Sequence, residues 1–140
     1  MSTAPTTLNG RIIGEAERST RAVLELLLAR TSTSFEQWVA LNLTGTESVT
    51  RDALVARMAS GLRADPATVA AVVDAAVRAG LLTGDIALTA EGRRRFEDIR
   101  AGIDAITARL YGGLSEEELA TAGRVLLLVT DRAKTELAAA

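Results

Sequence analysis

The side chains with chemistry to offer are mainly arginines. Arg51, Arg63 and Arg78 are spread through the middle of the chain, and Arg93, Arg94 and Arg95 follow as an unbroken run. A guanidinium is always charged and presents a planar fork of donors that matches a phosphate. Together with Arg57, these residues could form a phosphate-binding patch if the fold gathers them on one side. The charge balance gives them little help. Residues 51–100 hold eight basic and seven acidic side chains, a net of +1, and the whole chain carries −2. Phosphate neutralisation supplies most non-specific affinity for nucleic acid, so geometry must do what total charge does not. The run at 93–95 also has a plainer reading as a solvated helix start, with Glu91 and Arg95 spaced for an i,i+4 pair. Fifteen of the sixteen basic residues are arginine, a bias that genome base composition explains as readily as phosphate binding.

Other chemistries are weakened by what is missing. Without cysteine there is no disulfide, no thiolate metal site and no thiol-based oxidant sensing. Without histidine the commonest general base and the commonest metal ligand are gone. No nucleophile–base pair or metal cluster is visible, so neither enzymatic activity nor a cofactor is expected. The acids Glu116–Glu118 are accounted for by helix capping and the helix dipole. No apolar run approaches the roughly 18 residues that a membrane span requires. The start, MSTAPTTLNG, lacks the basic-then-apolar layout of a signal peptide. The expected setting is cytoplasmic, with no membrane partner.

The elements that must position these groups read as helices. At 140 residues the chain fits one domain, and with aromatics at only 3% its core must be aliphatic and alanine-rich, which favours packed helices. Residues 1–7 are unpatterned and read as a disordered tail. A first helix runs from Leu8 to about Arg30, and Ser34 or Thr33 caps a second, FEQWVALNL, before a turn at Gly45. Ser48-Val49-Thr50 reads as a short strand, with Thr50 capping a third helix, RDALVARMAS, that ends at a left-handed Gly61. Asp65-Pro66 opens a fourth, PATVAAVVDAAVRA, closed by Gly80. Leu81–Thr83 and Ile86–Thr89 then read as two short strands, with Gly84 supplying the positive φ of a tight turn. Thr89 caps a fifth helix, whose Phe96, Ile99, Ile103, Ile106 and Leu110 form an a/d seam. After Gly112-Gly113, a capping box at Ser115–Glu118 opens a sixth, with Leu119, Leu126, Ala133 and Leu137 on one line. The predicted class is mostly α, an α+β fold only through its wing: about six helices with a short two-stranded wing.

Helix, tight turn, helix across residues 51–79 is a helix-turn-helix layout. If Val69, Val72, Val73, Ala76 and Val77 are the buried stripe of the fourth helix, Ala67, Thr68, Ala71, Asp74 and Ala75 face outward, with Arg78 at the far end. DPATVAAVVDAAVRAGLL at 65–82, LTAEG at 88–92 and GLSEEELATAGRVLLLV at 113–129, taken in order, resemble the MarR family of winged-helix regulators. The resemblance spans roughly residues 8–138.

That resemblance implies an intertwined homodimer held by residues 8–30 and 91–138. A winged helix-turn-helix part at 34–90 would bind near-palindromic duplex DNA. It also implies a small aromatic effector, for which Phe35, Trp38 and Phe96 are the candidate pocket residues; their other reading is core or dimer interface. The candidate DNA contacts are Arg51, Arg63, Thr68, Ala71, Arg78, Arg93, Arg94 and Arg95, with Thr68 equally readable as a capping or merely exposed residue. Three departures stand out. Ala71 and Ala75 stand where the family often has polar residues, and the wing tip Thr83-Gly84-Asp85 is short and acidic. Asp74 corresponds to an aspartate that a wing arginine often pairs, yet no arginine lies between residues 79 and 92. The leading expectation is a DNA-binding transcriptional regulator, a repressor released by a small ligand. Its alternative is a winged-helix dimer with little DNA affinity that works as a ligand-binding or protein-interaction module.

Overall fold

The computed structural model describes residues 6–140, so the tail expected over residues 1–7 falls mostly outside the described residues. The chain divides into two compact units, residues 1–104 and 105–140.

In the first unit, each helix starts where a short polar side chain can satisfy an open backbone amide. Asn9 accepts from Ile12 N and opens α1 (Gly10–Ala29), and Ser34 accepts from Gln37 N and opens α2 (Phe35–Thr46). Thr50 does the same for α3 (Arg51–Leu62), and Asp65, followed by Pro66, for α4 (Pro66–Arg78). Such caps stabilise a helix by roughly 1 kcal/mol each. Helices α2, α3 and α4 pack on one another. Their core is Ala40, Leu54, Met58, Val69 and Val73, joined by Ile86 from the following loop.

Two helix expectations and one strand expectation change. Gly45 does not end α2: the helix runs on to Thr46, and a Cβ at Gly45 would come within 2.8 Å of the Phe96 ring, so this glycine lets the ring approach. Gly61 lies inside α3 in open space, and the left-handed residue is Arg63, at φ 51°. The terminus closes there by the Ala64 amide donating to Ala59 O, 3.0 Å, the six-to-one bond of a Schellman ending. Ser48–Thr50 forms no strand.

The two predicted wing strands shrink to a single antiparallel bridge, Leu82 to Leu88. Positive φ falls on Ile86 (60°) and not on Gly84. Thr83 explains the shape. Its amide donates to Ala87 O (2.8 Å), its carbonyl accepts from Ile86 N (3.0 Å) and its hydroxyl accepts from Ala87 N (3.1 Å). This tight loop turns the Ile86 side chain into the core, where it is 5% exposed. Burying an isoleucine gains about 1.5–3 kcal/mol, enough to offset a strained φ of order 1–3 kcal/mol.

The same segment fixes the start of α5 (Ala90–Tyr111). The Thr89 hydroxyl donates to Gly80 O (2.5 Å) and accepts from Gly92 N (2.9 Å), joining the end of α4 to the first turn of α5. Gly92 is buried, and a Cβ there would come within 2.0 Å of the Leu81 carbonyl oxygen, a collision that only glycine avoids. Gly80, at φ 77°, ends α4 in the expected left-handed conformation.

In the second unit, α5 ends before Gly113, which has φ 84°. The predicted capping box opens α6 (Glu116–Ala139). The Glu118 amide donates to Ser115 Oγ and the Ser115 amide to Glu118 Oε1, both at 3.0 Å. No residue of α6 is buried, and Leu119, Leu126, Leu127, Leu128, Val129 and Leu137 are all exposed.

Candidate nucleic-acid interface

Helix α4 divides by period into an inner and an outer side. Val69, Val73 and Ala76 are buried and Val72 and Val77 half-buried, while Ala67, Thr68, Ala71, Ala75 and Arg78 are exposed. The valines hold the helix by apolar burial, leaving a surface of methyl groups with one hydroxyl, at Thr68. Asp74 is the polar group in its middle.

Asp74 is not alone. Arg51, the first residue of α3, donates from Nη2 to the Asp74 carboxylate across 23 positions of sequence. The partner therefore comes from the neighbouring helix and not from the wing. Pairing cancels the repulsion that Asp74 would otherwise exert on phosphate. Nothing local in the sequence marks the pair; only the packing of α3 on α4 makes it.

The other arginines are held to different degrees. Arg57 donates to Glu47 at the end of α2, and this bond raises its pKa further. Arg94 donates to Glu91 at 2.5 Å, and that bond, then the charge of Arg94, holds the Glu91 carboxyl below its usual range. The expected Glu91–Arg95 pair is thus replaced by Glu91–Arg94, one residue nearer. Arg93 lies 4.0 Å from Glu97, a loose pair on an exposed helix that contributes little to stability. Among the described residues, Arg63, Arg78 and Arg95 form no ion pair. Arg63 stands at the turn between α3 and α4, and Arg78 at the last turn of α4.

The three residues expected to line one pocket are separated. Trp38, 5% exposed, stacks on Phe96 with ring centroids 5.9 Å apart and an interplanar angle of 21°, so this pair is packing. Phe35 lies instead under the Arg21 guanidinium, 4.3 Å from the ring centroid. These two face an open cleft of about 350 Å³ whose other walls include Ser34, Glu36, Leu62, Thr68, Val69 and Val72. Sequence periodicity missed Arg21 and the α4 residues because the cleft is assembled from four separate segments.

Among the described residues, no group of three or more His, Cys, Asp or Glu could hold a metal ion, and no helix is long and apolar enough to cross a membrane.

No protein-family model matches the sequence, and no curated protein matches it. Solved structures do. The transcriptional regulator PA3341 matches with a TM-score of 0.76 at 20% identity, over 90% of this chain and 98% of its own. CouR from Rhodococcus jostii, solved with p-coumaroyl-CoA bound, gives 0.71 at 21% identity, over 86% and 90% of the two chains. The Mycobacterium tuberculosis MarR family protein Rv2887, solved in complex with DNA, gives 0.67 at 18% identity, over 89% and 98%. At these identities the shared property is the fold: this chain has the winged-helix fold seen in MarR family structures.

Proposed function

We propose that this chain is a MarR-type transcriptional regulator, a repressor that binds duplex DNA in the cytoplasm as a homodimer and catalyses no reaction. The observation that carries the reading is α4. Its inner valines are locked into the core, and its outer side is exposed along the whole helix in a fold also seen bound to DNA. Phosphates would be met by Arg63, Arg78 and Arg93–Arg95, and base edges by Thr68, Ala71 and Arg51. Residues 34–90 form the DNA-reading part in this proposal. Residues 8–30 and 91–138 hold the dimer, a role supported by the exposed leucines of α6 and by Leu26 and Val23 on α1.

The test is fluorescence anisotropy on duplex DNA from upstream of the chain's own gene, at two salt concentrations, against a scrambled duplex. Sequence-selective binding that weakens steeply with salt supports the reading. Equal, salt-insensitive binding to both duplexes argues against it.

Release by a small ligand belongs to the same proposal. The cleft beside Phe35 and Arg21 reaches Thr68, Val69 and Val72, so an occupant would touch the DNA-reading helix itself. An aromatic acid such as benzoate is the probe: release of DNA that Phe35→Ala abolishes is the expected result. A second reading, a winged-helix dimer with little DNA affinity that serves as an interaction module, is favoured by the exposed, acidic Thr83-Gly84-Asp85 tip and the paired Arg57, Arg93 and Arg94.

A further inference from the structure

The outer side of α4 has almost nothing with which to read a base. Ala67, Ala71 and Ala75 offer only methyls, Thr68 has one hydroxyl near the start, and Arg78 lies in the last turn. The guanidinium of Arg51 fills the middle of this surface from outside the helix, because the Asp74 carboxylate holds it there. Both side chains remain half-exposed, at 40% and 48%. A guanidinium has five N–H donors in a rigid plane. The bond from Nη2 to Asp74 uses one of them, and the rest stay free to donate. A guanine in the major groove shows two acceptors, O6 and N7, spaced for such a fork. An unheld arginine would have to lose its rotamer freedom on binding, whereas one fixed by a carboxylate has lost it already.

We infer that Arg51 is a base-reading residue that recognises a guanine, and that Asp74 is the positioning residue that aims it. The inference rests on the DNA-binding reading above. It gives the third helix of the chain a part in sequence recognition, and it explains how an alanine-rich surface discriminates between bases. The competing account of the same pair is that Asp74 merely withholds Arg51 from phosphate.

The experiment begins by enriching duplexes from a randomised pool with the full-length protein. Each guanine of the enriched duplex is then replaced singly by 7-deazaguanine, which removes the N7 acceptor and leaves base pairing intact. The expected result is one position per half-site at which the parent loses about tenfold or more in affinity, within the range for a bidentate contact. Arg51→Ala, which removes every donor of the fork, is expected to bind the guanine and 7-deazaguanine duplexes within about twofold of each other. Asp74→Asn is expected to reduce the discrimination several-fold, with circular dichroism melts confirming that both variants fold. If Arg51→Ala stays as sensitive to every 7-deazaguanine as the parent, the inference is overturned while the DNA-binding reading stands. It is also overturned if Asp74→Asn tightens binding to all duplexes and steepens the salt dependence, because Asp74 then only withholds a phosphate contact. If the parent enriches no sequence at all, the DNA-binding reading fails and takes the inference with it.

Discussion

Residues 80–92 and helix α6 reached their conformations by opposite routes. The first stretch has almost no regular structure, a single bridge at Leu82 and Leu88, yet Leu81, Leu82, Ile86 and Gly92 are buried and Thr89 ties both ends together. Helix α6 is 24 residues of unbroken helix behind a complete capping box, and none of them is buried. In one region tertiary contact dictates the backbone. In the other, local propensity and capping suffice, and an apolar surface is left over. Regularity and burial therefore have separate causes here, and substitutions should act on them separately.

The largest effect is expected at Gly92. A methyl there meets the Leu81 backbone and not a movable side chain, so Gly92→Ala should cost about 4 kcal/mol or more, at the exceptional end for one substitution. A thermal melt within a few degrees of the parent would remove the claim that this contact fixes the start of α5. Next comes Ile86→Ala, which empties a core position while keeping the left-handed φ. Urea unfolding should show a loss of about 2–4 kcal/mol.

These two positions also mark what the sequence could and could not reveal. The caps were legible because each is local: Ser34, Thr50 and Asp65 lie within three residues of the amides they satisfy, and the Ser115–Glu118 box is a four-residue pattern. The two sides of α4 were legible from the period of its valines. The left-handed Ile86 was not, since a β-branched residue avoids that conformation and only its burial in the core outweighs the preference. Gly61 attracted the helix end in the sequence, but the Ala64–Ala59 bond placed it two residues later. The proposed DNA-facing surface was half legible. Its alanines could be read from the helix period, but Arg51 enters it through the packing of α3 against α4.

Smaller effects should come from α6, where burial has no part. Leu127 is 69% exposed, so Leu127→Lys should change the stability of the folded chain by no more than about 0.5 kcal/mol. Under the proposed dimer it should nonetheless lower the sedimentation coefficient at micromolar concentration. An unchanged coefficient would show that this part of α6 lies outside the interface. Smallest of all is the effect of pH on the capping box. The Ser115 amide holds the Glu118 carboxyl below its usual range, so the box contributes above the unfolded value, about 4.3. That contribution is lost as the pH falls through the lowered folded value. Glu118→Gln should flatten this part of the acid stability profile, read by circular dichroism between about pH 5 and 2.

Arg63 carries a consequence of another kind. It adopts a left-handed backbone at the turn between α3 and α4, a conformation that costs a residue with a side chain roughly 1–2 kcal/mol and glycine very little. An engineer optimising thermal stability alone would choose glycine at this position and delete a candidate phosphate contact in the same step. Under the proposed phosphate contact, durability and recognition ask for different residues at one site.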